Sequence, residues 1–170
     1  NGTLTYSAIT GGTATNCQLS TSNVLTANSP GTCVIQVTKA ATTFYAAATA
    51  TATFTFNAAQ LATPNGISLT KTTNSSTGLT LSFNAVTDAG KYTVQVYLDN
   101  SGSIGTKQSE NTYTTTSVSI TGLSAATTYW VKVQSVPADA DANHLSSAFS
   151  TAISQTTNVA TKTITVGNPA

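Results

Sequence analysis

Apolar side chains in this chain recur at every second position, and no segment sustains the spacing of a helix face. Residues Ser117 to Pro137, SVSITGLSAATTYWVKVQSVP, show the pattern: Val118 and Ile120, then Tyr129, Val131 and Val133, alternate with Ser, Thr, Lys and Gln. Successive side chains of a strand point to opposite faces, so such a segment has one face for a core and one for water. The alternation predicts strands over Leu4–Ile9, Cys17–Leu19, Asn23–Thr26, Thr32–Lys39, Ala50–Phe56, Gly66–Thr72, Gly78–Ala85, Lys91–Leu98, Ile104–Ser109, Ser117–Thr121, Thr128–Val136, Ala148–Gln155 and Thr161–Val166. Turn residues such as Gly11-Gly12, Ser29-Pro30-Gly31, Asp88-Ala89-Gly90 and Asn100-Ser101-Gly102 separate them. Many short strands with regular turns read as β-sandwiches. The inward set of the second half is Leu79, Leu81, Phe83, Val94, Val96, Ile120, Leu123, Tyr129, Val131 and Val133.

Charge is scarce. Asp, Glu, Lys and Arg make up 6% of the 170 residues, against about 25% in ordinary soluble proteins. Their place is taken by 37 Thr and 19 Ser, and Thr is β-branched and suits strands. All six basic residues are Lys, and the net charge is +1 with no basic run, which argues against a nucleic-acid partner. No window of about 18 apolar residues occurs, so no membrane insertion by a helix is expected. Met is absent and no signal peptide is visible, so a processed product or an internal piece of a longer protein is expected. Cys17 and Cys33 are either two buried thiols or a bridge; a short loop between strand segments favours a disulfide in an exported protein.

Catalysis is not expected. Residues 1–87 contain no Asp, Glu, His or Arg, and Lys39 and Lys71 are the charges there. General acid–base chemistry needs a group that titrates near neutrality. The rest of the chain holds one His, His144, with Asp88, Asp99, Glu110, Asp139 and Asp141, and no G-x-S-x-G motif supports a nucleophile. No cofactor is expected. No metal is expected either: one His and two Cys cannot close a zinc shell. Asp139-Ala140-Asp141-Ala142-Asn143-His144 begins like a calcium loop, but His144 stands at the Gly position and Ser150 at the closing Glu. Trp130 alternates away from the core, where an aromatic can stack on a sugar or anchor a partner. Tyr97 and Tyr113 are candidates to extend that patch, and Lys132 also alternates outward. Asn1-Gly2-Thr3 and Asn74-Ser75-Ser76 fit the N-glycosylation pattern.

The stretch Gly122-Leu123…Thr127-x-Tyr129-x-Val131-x-Val133 resembles the E–F corner of a fibronectin type III domain, where a tyrosine hydroxyl ties the corner to the backbone. The resemblance extends over residues 61–157. Leu79–Phe83 matches strand B, with Phe83 where the family usually has Trp; Tyr92–Val96 matches strand C and Phe149–Thr156 strand G. It implies that Tyr129 is the structural corner residue. It also puts Asp139, Asp141, Asn143 and His144 on the F–G loop, a candidate recognition loop. Before residue 58, SPGTCVIQVTKAATTFYAAATATATFTF resembles a bacterial immunoglobulin-like surface-protein repeat. Gly31, Cys33, Lys39, Tyr45, Phe54 and Phe56 occupy its characteristic places.

The expected architecture is all-β: two tandem immunoglobulin-like β-sandwiches, the first incomplete at its N-terminus. Residues 1–58 form the first, 59–157 the fibronectin type III domain, and 158–170 a strand-like tail. That tail either opens a following domain, completes a neighbouring molecule as a donor strand, or frays. The expected role is a structural module of an extracellular, cell-surface or fibre protein. Its partners would be copies of itself or neighbouring domains, with carbohydrate or a cell-surface protein as further candidates. A virion fibre or decoration protein and an accessory module of a secreted hydrolase are the alternatives.

Overall fold

The structure, a computed structural model, describes residues 2–162, and those residues contain strands and no helix. In chain order they are β1 (Leu4–Ile9), β2 (Gln18–Leu19), β3 (Leu25–Thr26), β4 (Gly31–Lys39), β5 (Ala48–Phe56), β6 (Ala59–Gln60) and β7 (Ser68–Lys71). There follow β8 (Leu79–Ser82), β9 (Ala89–Asn100), β10 (Ser103–Tyr113), β11 (Ser117–Ile120), β12 (Thr128–Pro137), β13 (His144–Leu145) and β14 (Ile153–Thr156). The described residues form two compact units: residues 2–59 with Ala140–Leu145, and Gln60–Asp139 with residues 146–162.

The second unit is a sandwich of two antiparallel sheets, β10-β9-β12-β14 and β11-β8-β7. Alternation supplies both inner faces. Leu79, Leu81, Val94, Val96, Val118, Ile120, Tyr129, Val131 and Val133 are buried, Phe83 packs edge-on against Tyr92 at 4.7 Å, and Leu123 is partly buried against the cluster. The β9–β10 hairpin turns at Ser101 and Gly102, whose φ angles are 55° and 86°. A tight hairpin turn of this kind needs positive φ at both central residues, which Gly accepts freely.

Two expectations fail here. The strand predicted over Ala148–Gln155 starts only at Ile153. Ser147 and Ser150 instead turn their hydroxyls onto β12, accepting from the Ser135 and Val133 amides at 3.0 and 3.1 Å. Their own amides donate back to the same two residues' carbonyls at 3.0 and 2.8 Å. Tyr113, expected to face outward, lies opposite Tyr92 and packs against the core. Register shifts on either side of Lys107 reset which side chains of β10 point inward.

The first unit has one three-stranded sheet, β1-β4-β5, and one hairpin, β2-β3. Paired register places Leu4, Tyr6 and Ala8 beside Lys39, Val37 and Ile35, and these beside Ala48, Ala50 and Ala52, with Phe54 next to Cys33. All therefore share one face. The opposite face carries Thr49, Thr51, Thr53 and Thr55 of β5. Cys17 and Cys33 are joined in a disulfide with Cα atoms 5.8 Å apart, within the range of ordinary bridges. The predicted strand Thr161–Val166 lies from Thr163 on outside the described residues, and Thr161 and Lys162 are not in a strand.

Candidate functional site

The corner tyrosine is placed by β12, whose alternation sends its ring into the core. Its hydroxyl accepts a hydrogen bond from the Ser124 amide at 3.0 Å, pinning the turn between β11 and β12. Thr157, fully buried, closes the same corner by donating to the Ser124 carbonyl at 2.7 Å and accepting from the Thr127 amide at 3.1 Å. Replacing Tyr129 by Phe keeps the ring and loses one bond. The expected loss is about 1 kcal/mol, read from the midpoint of urea unfolding with an unchanged slope.

The outward face of β10, β9 and β12 carries the densest side-chain network. Tyr97 and Trp130 stand directly opposite each other on β9 and β12. The Trp130 indole N–H donates to Asp99 Oδ1 at 2.7 Å, and the Gly102 amide donates to Asp99 Oδ2 at 3.1 Å. These two donors, the indole first, hold the Asp99 carboxyl below its usual range. Lys132 sits over the Tyr97 ring at 5.3 Å, and the Tyr97 hydroxyl donates to Gln95 Oε1 at 2.5 Å. Gln95 and Lys107 both donate to Glu110 Oε2, at 2.8 and 2.7 Å. The Lys107 bond is the main reason Glu110 is lowered and Lys107 raised. Trp130 is thus half-buried, with its polar edge engaged. Alternation places Trp130 and Tyr97 outward; the bond to Asp99 depends on the register of β9 with β12, and the contacts of Gln95 with Glu110 and Lys107 on register across a bulged hairpin, neither of which sequence carries.

The candidate recognition loop is built from contacts within itself and to its flanks. Asp139 is paired with Lys91. Asp141 accepts from the Asn143 amide at 2.8 Å, and its Oδ2 lies 2.6 Å from His144 Nδ1. His144, expected as a loop residue, is in β13, which pairs with β6, and the Asn143 carbonyl accepts the Ala59 amide at 2.9 Å. Sequence signalled neither two-residue strand, since each is too short to show a period. Among the described residues no three His, Cys, Asp or Glu side chains converge.

His144, then the Asn143 amide, lowers Asp141. Asp99, Glu110 and Asp141 therefore all titrate lower in the folded chain than in the unfolded one. A depressed carboxylate stabilises the fold above its unfolded pKa, about 4, and that stability is lost as pH falls through the folded value. Thermal unfolding should be flat with respect to these groups from pH 7 to about 5 and drop in the acid range below about 4. Glu110 is exposed and Asp99 and Asp141 are only partly covered, so the drop should be small, and added salt should shrink it.

Residues 62–152 match the model of the fibronectin type III domain. Among solved structures, the FN5 domain of Drosophila Lar is 18% identical, with a TM-score of 0.46, over 59% of this chain and 99% of that one. The fn3 domain of the human collagen alpha-1(XX) chain is 18% identical with a TM-score of 0.47, over 62% and 92%. A two-domain fibronectin type III segment from chicken tenascin is 14% identical with a TM-score of 0.49, over 91% and 82%. Among curated proteins, none matches. With more than half of its residues inside the family match, which spans the tyrosine corner and every sandwich strand but β14, the chain belongs to the fibronectin type III family.

Proposed function

We propose that the chain is a structural module of an extracellular surface or fibre protein, serving as a spacer and adhesion scaffold. The observation that carries this reading is the way the second unit is closed. Its long central strands β9 and β12 are paired from Tyr129–Leu98 to Pro137–Ala89. In addition, the described residues hold no buried side-chain nitrogen or oxygen without a partner. Such a unit transmits force along paired strands and gives proteases little to cut. Fibronectin type III domains are as a family structural modules, and the disulfide suits an oxidising compartment outside the cytosol.

The first unit we read as a bacterial immunoglobulin-like repeat. Gly31, Cys33 and Lys39 lie on β4, Phe54 and Phe56 on β5, and Tyr45 on the connection between them, the order that the resemblance requires. The corresponding domain plan is 1–58, 59–157 and a tail from 158.

Stretching single molecules between the chain ends tests the spacer role. The second unit is expected to unfold in one cooperative step at a force well above that of thermal fraying. A gradual, stepless extension would overturn the reading.

A further inference from the structure

We propose that the β5 edge of the β1-β4-β5 sheet, with the apolar face beside it, is a strand acceptor, and that its occupant is residues 160–166 of a second copy of this chain. The proposal rests on the structural-module reading and gives it a mode of self-association.

An amphipathic sheet must bury its apolar face against another layer. Here that layer is the two-residue β2-β3 hairpin, and it covers one end of the sheet. Cys33 and Ile35 are buried beneath it, while Leu4, Tyr6 and Phe54 on the same face are 51%, 47% and 49% exposed. Between hairpin and sheet lies a cavity of about 360 Å³ lined by Tyr6, Leu19, Leu25, Ile35 and Phe54, with Asn23 as the polar member. Ala48, Ala50 and Ala52 continue the face with small side chains, leaving depth for bulkier ones from outside.

The face also limits what can fill it. Its strands carry one charge, Lys39 at the far end of β4, so no ion pair selects the partner. Recognition must come from apolar packing on the face and backbone pairing along the β5 edge of the sheet, which calls for an uncharged strand with bulky apolar residues on one side. Residues 163–166, Thr-Ile-Thr-Val, have that sequence pattern. They repeat the two-sided composition of β5, with Thr on one side and apolar residues on the other. Ile164 and Val166 supply the large aliphatic groups that the alanine row lacks. The segment follows Asn158, whose side-chain amide is held by the Thr72 and Ser75 carbonyls at 3.2 and 2.9 Å. From that anchor an extended chain reaches Ile164 across about 20 Å, enough to leave its own second unit.

The test is a complementation measured by light scattering on full-length chains. A donor-dead chain carries Ile164→Asp and Val166→Asp; an acceptor-dead chain carries Phe54→Asp at an already half-exposed position. The unsubstituted chain should gain mass with concentration, and each variant alone should stay at the mass of one chain. Mixed, the two variants retain one working donor and one working acceptor, so the mixture should double in mass and stop. That doubling also shows that both variants fold. An unsubstituted chain that remains at single-chain mass at every concentration overturns the proposal, as does a mixture that does not associate. A donor-dead chain that still associates would mean two sheets packing face to face, and would overturn it too. A single-chain mass combined with cooperative unfolding under force leaves the spacer reading standing, whereas stepless extension sinks that reading whatever the mass.

Discussion

Reduction of the Cys17–Cys33 bridge is expected to unfold the first unit and leave the second folded. The first unit buries little else: among its described residues, Cys33 and Ile35 are the buried hydrophobic ones. A unit of this size is marginal even with a complete core. Closing the loop between residues 17 and 33 is worth about 3 kcal/mol in the chain-entropy model, which is comparable to everything else such a small unit can gain. Calorimetry with and without a reducing agent should show the lower of two transitions vanish while the upper stays in place. Cys17→Ala/Cys33→Ala should reproduce the loss without a reductant. Two unchanged transitions in the reduced protein would show that the hydrogen bonds of β1, β4 and β5 suffice alone.

Leu81→Ala should have the opposite distribution, destabilising the second unit by about 2–5 kcal/mol. Leu81 is fully buried on β8, the middle strand of its sheet, with Leu69 and Val118 opposite it on either side. Flanking strands that are themselves pinned cannot collapse into the space, so most of the cavity would persist. Ser119→Ala, one residue along the outward face of β11, should stay within about 0.5 kcal/mol of the parent. Denaturant unfolding followed through Trp130 fluorescence reads the second unit and separates the two cases. Equal midpoints for Leu81→Ala and the parent chain would contradict the assigned core.

The core of the second unit was legible because period-two alternation is local information: Val94 and Val96, or Val131 and Val133, declare their face within their own strand. The tyrosine corner was legible through the spacing from Gly122-Leu123 to Tyr129. Tyr113 was misjudged because two register shifts lie upstream of it, and a bulge reverses inside and outside without altering composition. The serines at 147 and 150 look like ordinary strand residues in sequence; that their hydroxyls would replace a pleated partner depends on how close the segment comes to β12. The outer network fared similarly. Trp130 was placed on the right face, but its bond to Asp99 joins residues far apart in the chain. In the first unit the pattern of β5 reads the same whether or not a second layer covers it, so the bareness of that face emerged only from the three-dimensional arrangement.

The serine contacts along β12 have a consequence for how the molecule presents itself to other chains. Where a strand ends early, its former neighbour usually shows a row of free amides and carbonyls to any passing peptide. At Val133 and Ser135 those groups are consumed by two hydroxyls and two amides of a segment that is not itself pleated. The second unit is thereby sealed against templating along this stretch without needing charge or proline to repel an incomer, a useful economy in a chain with so little charge to spare.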